Sequence, residues 1–185
     1  IKKDPKLRLA TQIELGYQAI YLNVDNGEQG KGGPFGKDAR VRRAFELAID
    51  REAINQVVFN GEAFPGNQWI NSKSPYYQTK FPIPKRDVAK AQQLLKEAGV
   101  SLPIVVDAMV PNNPETRQVA EVVQAMAKEA GFDLRLRITE FATSLNEAEA
   151  GRFHAYFIGW SGRVDPDGNS YSFYSCKGPL NYSKY

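Results

Sequence analysis

The sequence predicts an α/β fold: a mixed sheet flanked by helices, in one domain spanning residues 1–185. Two patterns carry this. The second half alternates strand, helix, strand, helix, strand. The first half carries amphipathic helices, each opened by an acidic cap. Connections of helical length between strands favour right-handed crossovers and at least partly parallel pairing.

Gln18 to Asn23 has strand character, with Ile20 and Leu22 on one face and Ala19 and Tyr21 on the other. Val24 to Lys37 reads as loop, because it holds five glycines and Pro34. Within it, Phe35 is expected to plug into the core. Asp38 opens a helix whose apolar face is Val41, Ala44, Phe45, Ala48 and Ile49. Arg40, Arg42 and Arg43 read as its solvated side. Asp50 caps a second helix, with Glu52 in its first turn, Ile54, Val57 and Val58 as its face and Asn60-Gly61 as its stop.

Glu62 to Pro84 is a long irregular segment with four prolines. Such segments are often functional or pinned by aromatics. Trp69 in it either anchors the loop or lines a pocket. Asp87 caps the next helix, which shows Val88, Ala91, Leu94, Leu95 and Ala98 as a stripe and Gly99 as a stop. Leu102 to Met109 reads as a strand. Asn113 caps a helix with Pro114 at its first position, ending at Gly131. Asp133 to Glu140 alternates, with Leu134, Leu136 and Ile138 inward. Ser144 and Glu147 have the spacing of a capping box. Phe153 to Trp160 is the last strand. It hands over to the loop Ser161–Asn169, dense in Gly, Pro, Asp and Asn.

In partly parallel sheets, ligands meet the loops at the carboxyl ends of the strands. Two such ends are Val110-Pro111-Asn112-Asn113 and Trp160-Ser161-Gly162-Arg163. Trp160 is either a core residue at a strand terminus or the wall of a site, and the placement of its strand favours the wall.

The remaining chemistry is mostly excluded by inventory. The net charge of +3 is small and the basic residues are spread along the chain, so no nucleic-acid partner is expected. No apolar run has the length of a membrane span. The chain begins Ile-Lys-Lys-Asp-Pro, with neither Met nor an apolar leader. It therefore reads as a processed, truncated or engineered piece, or its true start lies upstream. Cys176 is the single cysteine and reads as a semi-buried small apolar side chain. His154 is the single histidine, without partners for a zinc site or a triad. Asp165, Asp167 and Asn169 mimic the start of a calcium loop, but Ser170 stands where its glycine turn belongs and Cys176 where its bidentate Glu belongs. No metal and no cofactor are expected. Asn181-Tyr182-Ser183 matches a glycosylation sequon and reads as chance. What is left is an aromatic-rich chain, with 9 Tyr, 10 Phe and 2 Trp, and polar strand-end loops. That points to recognition rather than reaction.

Four motifs then carry a resemblance. Phe35-Gly-Lys-Asp-Ala-Arg-Val-Arg-Arg-Ala-Phe-Glu-Leu-Ala-Ile-Asp-Arg is similar to a signature of the peptide/nickel-type extracellular solute-binding proteins, the receptors of ABC importers. Tyr21-Leu22-Asn23 resembles the short strand before it. Asp87 to Gly99 resembles the family's Ala-Lys-x-Leu-Leu-x-Glu-Ala-Gly helix. Gly159-Trp160 followed by Asp165-Pro166-Asp167 resembles its strand-end motif. The resemblance implies one lobe of a bilobal, class II periplasmic-binding-protein-like fold. It implies most of the C-terminal ligand-binding lobe, with the N-terminal lobe and the final helices absent, and Ile1–Gly16 near the interlobe crossover. It also implies a monomer when complete. Expected partners are a peptide-like or other small ligand and membrane-embedded permease subunits, in a periplasmic or extracellular bacterial setting.

Site residues carry over in part. Where dipeptide-binding relatives place an acid for the ligand ammonium, this sequence has Arg163. Where they place an Arg and a Tyr for the ligand carboxylate, it has Val110 and Asn112. The resemblance therefore implies a ligand other than a simple dipeptide, with an anionic or hydroxyl-rich group meeting Arg163, Ser161 and Asn112. Trp160 and Trp69 would supply stacking. Arg163 paired with Asp165 or Asp167, bracing the loop, is the competing role. Two other functions stay open: a sensory or chaperone-like binding module on the same fold, and a hydrolase using Asp165 and Asp167.

Overall fold

The computed structural model describes Asp4, residues 6–10 and residues 12–185; the start of the expected crossover segment, residues 1–3, lies outside the described residues. Its centre is a four-stranded sheet in the order β1-β4-β2-β3. The strands are β1 (Tyr17–Leu22), β2 (Ile104–Pro111), β3 (Phe132–Thr139) and β4 (Ala155–Trp160). β2 pairs in parallel with both β3 and β4, while β1 runs antiparallel to β4. The mixed sheet is thus the one expected.

Caps set the helix boundaries as the sequence indicates. Helices α2 (Ala39–Leu47), α3 (Arg51–Phe59) and α4 (Val88–Ala98) begin at Asp38, Asp50 and Asp87, whose carboxylates accept backbone N–H bonds at 2.7, 2.9 and 2.8 Å. Asn113 caps α5 (Pro114–Ala130) in the same way. Gly99 and Gly131 end α4 and α5 in the left-handed region that glycine enters without a Cβ penalty.

One face of the sheet holds the main core. Val106, Ala108, Val110, Leu134, Ala155 and Phe157 meet α2, α4 and α5 there. Phe35, fully buried, locks this layer. Its ring lies 5.3 Å from that of Phe45 and 6.3 Å from that of Phe132. The opposite face carries a second cluster, Tyr21, Met109, Tyr156, Ile158 and Tyr182, with Ala148 from α6 (Phe141–Glu149). On this face an ion network joins Arg137 to Asp107 at 3.1 Å and to Glu147 at 2.9 Å. Burial works against the Arg137 charge, but its bonds to Asp107 and Glu147 outweigh that and raise its pKa.

Several local expectations are corrected. The glycine-rich stretch after β1 contains a short helix, α1 (Gly27–Lys31). Two buried asparagines build it. Asn23 donates to the carbonyls of Asn26, Gly151 and Phe153, and Asn26 donates to those of Ala148 and Tyr182. Val57 is 68% exposed, because α3 turns Asn55 inward to exchange two hydrogen bonds with Ala63. Ile138 is 42% exposed, since it ends an edge strand. Ser144 does not cap. Glu140 does, accepting from the Thr143 N–H, while the buried Ser144 hydroxyl bonds Phe141 and Tyr156. Glu147 pairs with Arg137 and Arg152 instead. Cys176 is exposed rather than semi-buried. Arg40 and Arg42 reach the Glu97 and Phe35 carbonyls at 2.7 and 2.6 Å rather than only facing solvent. Asn181 is buried with its amide on the Ser175 carbonyl, so it is no acceptor for a glycan.

His154 gives a pH prediction. Its Nδ1 accepts the Asp107 backbone N–H at 3.0 Å and is therefore unprotonated. Burial lowers its pKa, against the pull of the Asp107 carboxylate. The unfolded chain, with a His pKa of about 6.5, takes up the proton first. The stabilisation is therefore complete above that value and is lost as pH falls through it toward the depressed folded value. The urea midpoint is expected to drop between pH 7 and pH 5, and less steeply in His154→Gln. An unchanged slope in the variant would assign the dependence to other groups.

Candidate functional site

The sheet topology decides which loops share an edge. β2, β3 and β4 are parallel, so their carboxyl ends emerge together. β1 is antiparallel to β4 and pairs Tyr17 with Trp160, so the segment leading into β1 arrives at the same edge. Residues 12–16 therefore run beside Ser161 and Gly162. The two backbones pass in contact: a Cβ on Gly162 would stand 1.9 Å from the Leu15 carbonyl oxygen. Only glycine fits at that crossing.

Trp160 is half-buried and held at several points. Its indole N–H donates to the Tyr21 hydroxyl at 3.1 Å, and its ring packs against Phe173 at 4.9 Å. The Tyr21 hydroxyl continues to Tyr17 at 3.4 Å, and Tyr17 to Tyr174 at 3.0 Å. Burial is the first cause raising the pKa of both Tyr17 and Tyr21, so both phenols stay neutral. The ring is a fixed strand-end surface, partly core and partly exposed.

Beyond Trp160 the loop is braced by Asn169. The buried Asn169 side chain takes the Arg163 N–H at 2.6 Å and gives its amide to the Arg163 carbonyl at 2.5 Å. The bracing that the competing role assigned to an Arg163 ion pair is done by an amide. Among the described residues Arg163 forms no salt bridge with Asp165 or Asp167. Its Nη1 rests on the Ser161 and Gly162 carbonyls, both at 3.2 Å, leaving an exposed guanidinium without a carboxylate. Asp165 takes the Asp167 N–H at 2.9 Å, and both side chains are exposed. Among the described residues no group of three or more His, Cys, Asp or Glu side chains is placed to hold a metal ion.

Two depressions flank this loop. Arg163 and Asn169 share a space of about 30 Å³ with Ile70, Asn71 and Ser74 of the long irregular segment. That is room for a water or two and not for a solute. The segment itself is pinned by amides. Gln68 exchanges two hydrogen bonds with Gln78, and Asn67 donates to Phe81 and Pro82. The second depression, about 430 Å³ and open to solvent, lies over residues 12–16, Ser161 and Gly162. Its volume is in the range of small-molecule sites, but it is walled on one side only.

The structure thus brings Ser161 and Arg163 together beside Trp160. Trp69 is half-buried next to Ile70 and lines neither depression. Asn112 is exposed at the same sheet edge, its N–H on the Thr139 carbonyl, one strand away from Ser161. Sequence reasoning did not find Glu14, Leu15, Asn71, Ser74 or the bracing role of Asn169. Residues 12–16 carry no periodicity, so no local signal marks them.

The model of one family, described as bacterial extracellular solute-binding proteins, family 5 Middle, matches residues 1–181. The chain belongs to this family. Among curated family relatives, a di/tripeptide-binding protein 1 of Pseudomonas aeruginosa strain UCBPP-PA14 is 32% identical over 95% of this chain and 33% of its own length. A dipeptide-binding protein of Escherichia coli K12 is 29% identical over 80% of this chain and 29% of its own. Among solved structures, HbpA2 from Haemophilus parasuis matches all of this chain with a TM-score of 0.86 and 28% identity, over 36% of that protein. The chain therefore spans about a third of the length of these relatives. Its mixed sheet with flanking helices is part of a periplasmic-binding-protein fold. The family is one of extracellular binding proteins, and no described helix is long and apolar enough to cross a membrane.

Proposed function

We propose that this chain supplies most of the C-terminal lobe of an ABC-importer receptor. It captures a small polar or peptide-like solute outside the bacterial membrane and delivers it to permease subunits. The observation that carries this reading is the open depression of about 430 Å³ at the strand ends, walled on one side. A half-walled site of this size is completed by a facing surface, and closure of two lobes on a ligand is a standard hinge motion. Trp160 offers the uncovered part of its half-buried ring for stacking, and Ser161 and Asn112 direct polar groups. Arg163 takes an anionic group, because its guanidinium is oriented by carbonyls and not neutralised by an acid. Binding of this kind needs no catalytic group, and the complete receptor acts as a monomer.

Native mass spectrometry of the complete protein purified from its source tests the reading. A co-purifying small solute with an anionic group is the expected result. A protein that arrives empty and shows a turnover abolished by Asp165→Asn with Asp167→Asn would overturn it in favour of a hydrolase.

A further inference from the structure

The long segment between α3 and α4 has a charge and a surface that neither the core nor the strand-end site uses. From Ala63 to Arg86 it carries Lys73, Lys80, Lys85 and Arg86 and no acidic residue. The other 20 of the chain's 24 Lys and Arg residues share the remainder with all 21 Asp and Glu, so the positive excess of the chain resides in this segment. Arg86 is taken up by Glu129 at 3.0 Å and by the Ala48 carbonyl at 2.8 Å. Lys73, Lys80 and Lys85 are exposed and, among the described residues, form no salt bridge.

The same segment exposes rings. Phe64, Tyr76 and Phe81 are each more than half exposed, and a group of uncovered aromatics marks a contact surface. The rings do not hang on a slack tether. The exchange between Gln68 and Gln78, with the Asn67 bonds to Phe81 and Pro82, folds residues 67–82 back on themselves. The Lys80 ammonium sits 5.1 Å from the centre of the Phe81 ring, so a cation and a ring are presented together. The patch ends at the adjoining loop, where Asp165 and Asp167 are exposed.

Rings beside lysines, without acids, suit the boundary between water and an anionic bilayer. Aromatic rings lie at the level of the lipid headgroups, and basic side chains meet the anionic surface. A protein partner would need acids matched to three long lysines and pockets matched to three separate rings. A bilayer accommodates both without matched positions.

We propose that residues 63–85 form a peripheral membrane-contact surface that seats this lobe on anionic lipid. Ile70, Asn71, Ser74 and Tyr76 border the loop of Arg163, so a lobe seated this way holds its strand-end site close to the bilayer. None of the lysines or exposed rings is assigned to the solute, so the contact is tested apart from the solute-binding reading.

Co-sedimentation of the complete protein with lipid vesicles is the test. Binding is expected to vesicles of phosphatidylglycerol and phosphatidylcholine in equal parts, with little to pure phosphatidylcholine, and it is expected to weaken as salt rises. Lys73→Gln, Lys80→Gln and Lys85→Gln together are expected to lower the partition about a hundredfold, at about fivefold per lysine. Lys90→Gln, Lys96→Gln and Lys128→Gln remove the same charge from α4 and α5 and are expected to change it less than about threefold, since they act only through the screened field. Phe64→Ser with Phe81→Ser is expected to abolish the binding that survives high salt. The altered side chains are exposed, so every variant is expected to melt with the wild type. Equal binding to both vesicles, retained binding in the first triple variant, or an equal loss in the second overturns the surface. A protein that ignores vesicles, and whose first triple variant loses capture by detergent-solubilised permease subunits, assigns the patch to a protein partner and overturns the lipid contact.

Discussion

Phe35→Ala is expected to destabilise the fold by about 3–5 kcal/mol, the range for a large aromatic removed from a closed core. Phe35 comes from a stretch of loop, yet it is fully buried where Phe45 of α2 and Phe132 of β3 meet it. The Phe45 and Phe132 rings also meet edge-on at 5.3 Å, so each ring of the trio touches both others. The layers around the vacancy are held by strand pairing and helix caps and have little freedom to collapse into it. Urea denaturation followed by far-UV circular dichroism measures the loss. A cost below about 1 kcal/mol would mean that the loop relaxes to refill the space. Because the three rings share contacts, Phe35→Ala with Phe45→Ala is expected to cost less than the two single changes together.

The second large effect is on binding. Arg163→Glu in the complete protein is expected to weaken the co-purified solute by about a hundredfold, from a lost charge-assisted bond plus a like-charge contact. Stability is expected to stay level, because the loop is held through the Arg163 backbone by Asn169 and not through the guanidinium. Arg163→Lys is expected to fall between, since an ammonium cannot present two parallel donors. Unaltered affinity in Arg163→Glu would return Arg163 to a surface role.

Much of the architecture was legible because it is encoded locally. Asp38, Asp50, Asp87 and Asn113 announce their helices through a side chain that reaches two or three residues ahead. Gly99 and Gly131 announce the ends through a backbone region closed to most other residues. The strand-end loop at Trp160 was legible for a related reason, since an apolar run that breaks into Gly, Pro and Asp can only be a strand meeting a shaped turn. What escaped depends on contacts between distant positions. Nothing near Ser144 indicates that Tyr156 will take its hydroxyl. Nothing near Glu14 indicates that β1 will carry it to the end of β4. Ile138 keeps the alternation of a buried strand, and only the sheet order reveals that it ends an edge. Asn23 and Asn26 look like turn residues and are instead buried fasteners between β1, α6 and the Tyr182 segment.

The antiparallel pairing of β1 with β4 has a consequence for how the chain is made. Tyr17 finds its partner at Trp160, and Leu22 at Ala155, so β1, made before the other three strands of this sheet, has to wait for the last of them. While the nascent polypeptide lengthens, β1 presents unpaired N–H and C=O groups, a ready template for a wrong partner. Pairing so remote in sequence is also slow. The segment bearing Glu14 reaches its position only when this late step completes. Nascent chains that end before Ala155 are therefore expected to be the ones that holding chaperones retain.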